Sequence, residues 1–182
     1  MRRYKLDILG LSETRLTNSG RFTSITGETI LNSGREDNQH REGVAIILRK
    51  GVAAKSLLEW KPINNRMIKI RLQGKQINTI FIQCYSPTND SEEEAKDEFY
   101  DQLKAEIEGI PKHDMKIIMG DLNAKVGDDN STYERTMGCE GCGKMNENGE
   151  RLLDFCEENA FIVGGTLFKH KDIHKLTWYS PN

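Results

Sequence analysis

The chain has 182 residues, 36% of them hydrophobic and 30% charged, with a formal net charge of −2. That composition excludes a disordered chain or a membrane-spanning one, and the near-neutral balance excludes a global basic field, so any nucleic-acid contact must come from a local patch. The length suits one domain able to bury about two-thirds of its unfolded surface.

Residues 6–11 form a near-continuous apolar run, read as a buried strand that delivers Ser12, Glu13 and Thr14 to its end. The opening MRRYKLDILGLSE is too short and too polar for a signal peptide. Residues 17–39 are rich in Gly, Ser, Thr, Asn and charge, with one short apolar stretch at 29–31, and read as mostly loop or weak strand. Residues 43–50 (GVAIILRK) predict a buried strand with a basic tail. Residues 55–72 predict one or two more, turning at Pro62, Asn64 and Asn65. Residues 76–85 (QINTIFIQCY) are rich in β-formers and stop at Ser86 and Pro87, leaving Tyr85 on the tip.

Residues 91–108 predict a helix, with Ser91 and Glu94 as a capping box and Ala95, Phe99, Leu103 and Ile107 on one face. Gly109 and Pro111 end it. The stretch 116–127 (KIIMGDLNAKVG) follows: a buried strand running into a sharp turn that carries Asp121 and Asn123. A polar, Gly-rich loop spans 124–144. Residues 148–159 predict a second helix burying Leu152, Leu153 and Cys156 or Phe155, residues 161–163 a short strand, and residues 176–180 the start of another. Strands and helices alternate among hairpins, which predicts a mixed sheet with helices on its faces.

Four strand tips therefore present Glu13, Tyr85, Asp121 with Asn123, and Thr177 with Trp178. Catalytic sites on α/β scaffolds are assembled by such convergence from distant positions. Asp and Asn also simply shape turns, and Glu13 also reads as a solvated strand-end charge. If the tips converge, a carboxylate with amides and water suits Mg²⁺, Asp121 can take a proton from an attacking water, and Asn123 can donate to an oxygen gaining charge. Cys139-x-x-Cys142 with His170-x-x-x-His174 invites a zinc reading, but the span between the pairs is far too long for a finger. The four cysteines, Cys84 and Cys156 being the others, form no secreted disulfide framework, which points to reduced thiols in the cytosol or nucleus. Arg35, His40, Arg41, Arg49 and Lys50 suggest either a basic edge for phosphates or scattered surface charge.

LSET around Glu13, GVAIIL after Gly43, YSPTND from Tyr85, GDLNAKVG from Gly120, NENGERLLDFC from Asn146 and TWYSP from Thr177 together resemble the endonuclease/exonuclease/phosphatase family. Within it the chain looks most like the endonuclease domains of RTE and Bov-B-type non-LTR retrotransposons. The resemblance covers residues 1–182 and rests on the combination and order of these motifs, each weak alone. It implies a four-layer αββα sandwich of two mixed β-sheets flanked by helices, and a DNA-nicking phosphodiesterase needing Mg²⁺, with Mn²⁺ as a substitute. Glu13 would bind the metal, Asp121 would orient or deprotonate the water, and Asn123 and Tyr85 would contact the scissile phosphate. Thr177, Trp178 and Asn89 would lie against the DNA, and neither a membrane nor an obligate protein partner is implied.

Three family features are missing from the sequence: an Asn-bearing first strand, an Asp-bearing strand after TWYSP, and a terminal Ser-Asp-His whose histidine stabilises the transition state. Neither His170 nor His174 sits in that motif. The expectation is a domain incomplete at both termini, with unpaired edges, exposed apolar faces and weak or no activity. Two alternatives stand beside the nuclease: a phosphoesterase of another branch of the same superfamily, and a catalytically dead binding module or degenerate copy.

Overall fold

The computed structural model describes residues 1–171. These residues divide between two compact units, one of Met1–Ser86 with Asp97–Asp121, the other of Pro87–Lys96 with the chain from Leu122 on.

The first unit holds two four-stranded sheets. In the first sheet, β1 (Ile8–Ser12), β2 (Gly20–Thr23), β3 (Thr29–Ser33) and β4 (Val44–Leu48) are ordered β1-β4-β3-β2, and every pairing is antiparallel. The second sheet is mixed: β5 (Leu57–Asn64), β6 (Met67–Leu72) and β7 (Thr79–Tyr85) run antiparallel in turn, and β8 (Met115–Asp121) lies parallel to β7. Parallel neighbours need a crossover, and helix α2 (Glu93–Glu108) supplies it. A short helix α1 (Val52–Lys55) links β4 to β5.

The core lies between the sheets. Leu31, Val44, Ile46 and Leu48 of the first meet Ile68, Ile70 and Leu72 of the second, with Phe81, Tyr85 and Met119 packed at the margin. On the other side of the second sheet, Glu106 of α2 accepts from Lys61 and Lys69 at 2.5 Å each. Phe99, Leu103 and Ile107 are buried beneath that helix. Leu103 is fully buried, so Leu103→Ala should lower unfolding free energy by about 2–5 kcal/mol, read from urea melts. A change much smaller than that would mean that α2 contributes little to the core.

Several expectations need correction. Residues 17–39, read as mostly loop or weak strand, hold two defined strands; the inward face of β3 sets only Leu31 between two buried polar residues, Thr29 and Ser33, with Asn32 buried on the opposite face. Asn32 donates to Asn18 O at 2.9 Å and Ser33 to Asn64 O at 2.6 Å, so burial is offset by hydrogen bonds that hydropathy does not register. Pro62 lies inside β5, not in the turn; an edge strand with a register shift beside it tolerates a residue without N–H. Helix α2 begins at Glu93, the Ser91 hydroxyl pairs with that of Thr88 instead of capping, and Ala95 is exposed. Residues 161–163 contribute one bridge, Val163 to Met137, followed by a 3-10 turn at Gly164–Thr166. The expected strand at 176–180 lies outside the described residues.

In the second unit, helix α3 (Glu147–Glu158) carries Leu153 into a small core with Tyr133, Met137, Val126 and Val163. Leu153, Phe155 and Cys156 are buried as expected, while Leu152 is half-buried. The Tyr133 hydroxyl donates to Asp154 at 2.6 Å, and that bond, with burial, pushes the phenol up to about 12.

Candidate active site

The first unit gathers Glu13, Tyr85 and Asp121. The parallel register sets Tyr85 opposite Asp121 at the carboxyl ends of β7 and β8, and Glu13 follows directly on β1. The Tyr85 hydroxyl donates to Glu13 Oε1 at 2.7 Å. Partial burial, then the bond to Glu13 and the charges of Glu13 and Asp121, push the Tyr85 phenol up to about 12, against the opposing pull of Arg66. Tyr85 therefore stays a neutral hydrogen-bond donor through the whole neutral range.

A raised folded pKa stabilises the fold fully below the phenol's ordinary value of about 10. That contribution is lost as pH rises through about 12. Titrating the phenolate absorbance should show a late-ionising tyrosine that Tyr85→Phe removes, while the late ionisation of Tyr133 persists. If Tyr85→Phe leaves the titration unchanged, the contact with Glu13 is wrong.

Beneath the three side chains lies a polar knot. Ser12 Oγ donates to Cys84 O at 2.9 Å and accepts from Gln83 Nε2 at 3.0 Å and from the Asp121 N–H at 3.3 Å. A hydroxyl has one donor and two lone pairs, and here all three are used. Gln83 is buried, and β1 makes room for it with a glycine: a Cβ on Gly10 would lie 1.8 Å from Gln83 Oε1. Gly120 is needed for a similar reason, since its φ is +137° and a Cβ there would lie 2.0 Å from Cys84 O.

Arg66 braces Tyr85 from the side. Its Nη1 donates to Tyr85 O at 3.2 Å and its guanidinium carbon lies 5.2 Å from the ring centroid, while Nη2 donates to Glu42 at 2.7 Å. Glu42 also takes the Asn65 amide and, at 3.3 Å, Arg35. Arg35 pairs with Asp37 and Arg49 with Asp7, so two of the five residues of the suspected basic edge are engaged by local acids. Bonding to Arg35, reinforced by the Gln39 N–H, holds the Asp37 carboxyl down to about 2.

The second unit gathers Asn89 and Asn123. Asn123 sits in left-handed backbone at φ +47°, as Glu13 does at +53°. Such conformations are uncommon outside glycine and gather at functional sites. Asn148, at the start of α3, donates its side-chain N–H groups to Asn123 O and Pro87 O, both at 3.1 Å, and its backbone N–H to Asn89 Oδ1 at 3.3 Å. Thr177 and Trp178 lie outside the described residues.

Ser12 was visible from the sequence only as a strand-end residue, and Gln83, Arg66, Glu42 and Asn148 were not singled out. The available signals were a glutamine inside an apolar strand and the N-x-N-G spacing at 146–149.

Glu13 and Asp121 are exposed carboxylates, and no group of three or more His, Cys, Asp or Glu side chains able to hold a metal occurs among the described residues. That donor set fits Mg²⁺, which binds through one or two carboxylates and keeps several waters, and does not fit a four-ligand zinc site. Cys139 and Cys142 are exposed free thiols. Burial pushes the thiols of Cys84 and Cys156 up to about 12 and about 11, which leaves them inert.

The sequence profile of the endonuclease/exonuclease/phosphatase family matches residues 1–169. The chain belongs to the endonuclease/exonuclease/phosphatase family. It is 38% identical over all 182 residues to craniofacial development protein 2 of Bos taurus and to that of Tragulus javanicus, and spans 30% and 31% of their lengths. Among solved structures it is similar to the endonuclease domain of TRAS1, a telomere-specific non-LTR retrotransposon, with a TM-score of 0.52 and 17% identity. That match covers 87% of this chain and 62% of the other, and shows the fold. The paired four-stranded sheets are those of an endonuclease/exonuclease/phosphatase sandwich, and the family is one of nuclease-like hydrolases. Among the described residues no helix is long and apolar enough to cross a membrane.

Proposed function

We propose that this family member is a Mg²⁺-dependent endonuclease, with Mn²⁺ able to substitute, that nicks DNA by hydrolysing one phosphodiester. Residues 1–182 would act as one catalytic domain of mobile-element descent, a reading that draws on the LSET, GDLN and TWYSP motifs. The observation that carries the proposal is the Tyr85–Glu13 hydrogen bond beside Asp121 on adjoining strand tips.

Glu13 would hold the cation through its carboxylate. When bound, the cation supplies Lewis-acid charge against the phosphate oxygens. Asp121 takes one proton of the attacking water as the water oxygen bonds to phosphorus, the opposite P–O bond breaks in line, and the departing sugar oxygen takes a proton from solvent to leave as a hydroxyl. Asn123, two residues along the chain, donates to the phosphoryl oxygen as charge builds there. Tyr85, neutral at working pH, has a single O–H, which it would turn from Glu13 to the phosphate once Glu13 holds the cation. Asn89 serves the DNA backbone, and Thr177 and Trp178 are assigned the same task.

The test is conversion of supercoiled plasmid to open circle in Mg²⁺ and in EDTA. Weak nicking, seen in Mg²⁺ and not in EDTA, is expected. Release of phosphate from a phosphoinositide without any nicking would overturn the DNA reading and leave a hydrolase of another branch, and no cleavage of either substrate would favour a binding module.

A further inference from the structure

The stretch Asn146-Glu147-Asn148-Gly149 is more than a helix start. Asn146 caps α3 by accepting the Gly149 N–H at 2.9 Å, and the same Oδ1 accepts the Lys125 N–H at 2.9 Å. Its own N–H donates to Lys125 O at 3.0 Å. Gly149 has no side chain because a Cβ would lie 1.9 Å from that carbonyl. Asn148, only 1% exposed, then ties the carbonyls of Asn123 and Pro87 together through one amide nitrogen and holds the Asn89 side chain with its backbone N–H.

A buried asparagine with both N–H groups spent on main-chain carbonyls of two different loops fixes the distance between those loops. No apolar residue can do this, and an aspartate would face the carbonyls with acceptors only. Both loops carry side chains assigned to the phosphate backbone. Asn123 has in addition to be kept in a left-handed conformation that an unrestrained loop would leave.

We infer that Asn148 is a positioning residue for phosphodiester cleavage: it sets Asn123 and Asn89 at a fixed spacing while touching no substrate itself. The inference rests on the endonuclease reading above. Misplacement of a catalytic group by about 1 Å costs about 10²-fold in rate, so Asn148→Ala should lower kcat for plasmid nicking by about 10²-fold. Asn148→Ser, which keeps one donor, should fall between Asn148→Ala and wild type.

Leu153→Ala is the control. It empties a fully buried position on the same helix and meets the Asn123 loop only through apolar Val126, with no hydrogen bond to either loop, so it lowers Tm while leaving kcat of the folded protein unchanged. Backbone amide shifts supply a second readout: Asn148→Ala should move the Asn89 and Asn123 resonances, and Leu153→Ala should not.

If the Asn148 variants and Leu153→Ala reduce kcat alike, or if Asn148→Ala keeps both kcat and the two resonances, the inference falls and the endonuclease reading stands. If the wild-type protein nicks no DNA, that reading falls and takes the inference with it.

Discussion

Asp121→Asn lowers the rate of plasmid nicking by about 10²–10⁴-fold, the range general-base catalysis supplies, with little change in KM or Tm. The side chain keeps its size and loses its negative charge and its capacity to take a proton. Because Asp121 is exposed, the substitution buries no new polar group. Its backbone bonds are untouched: the N–H still donates to Ser12 Oγ at 3.3 Å and the carbonyl still accepts from the Ser86 N–H at 2.9 Å. A loss of rate with intact folding therefore isolates the carboxylate. Full activity in Asp121→Asn would remove this residue from the mechanism and move the search for a base to Glu13.

Gly120→Ala attacks the same tip through the backbone. The added Cβ would fall 2.0 Å from Cys84 O, on the neighbouring strand, at a φ of +137° that L side chains rarely adopt. Left-handed or more extreme backbone costs about 1–3 kcal/mol by itself. The clash adds to this, because Cys84 O belongs to the central strand β7 and already accepts from Ser12 at 2.9 Å. A total of about 4 kcal/mol or more is expected, at the exceptional end for a point substitution. Thermal melts should show it, along with loss of nicking. A variant of near wild-type Tm would mean that β8 can separate from β7 at its tip without penalty.

The strands with apolar inner faces were legible because burial on a two-sided sheet produces apolar runs: residues 43–50 became β4 and residues 76–85 became β7. β3 was legible only as a weak strand or loop because its buried Asn32 and Ser33 satisfy their polar atoms with partners far along the chain. Tyr85 and Asp121 were legible because both end strands, and the parallel pairing of β7 with β8 sets them side by side. The braces could not be read in the same way. Ser12 is separated from Asp121 by 109 positions and Asn148 from Asn123 by 25, and nothing local marks a hydroxyl or an amide as a junction of several strands or loops. N-x-N-G looks locally like an ordinary cap, and it acts as one in part.

The Tyr85–Glu13 bond closes a separation of 72 residues, and the Ser12–Asp121 bond one of 109. Contacts of that span carry a large loop-closure cost before they return any stabilisation, so they form late on the folding path. During synthesis the first sheet is complete once residue 48 has emerged, whereas β8 and its carboxylate arrive only after the α2 crossover. A nascent chain can thus be well ordered and still lack the cluster of Glu13, Tyr85 and Asp121. The junction of Glu13, Tyr85 and Asp121 is held back, by topology alone, until nearly all of the first unit has been made.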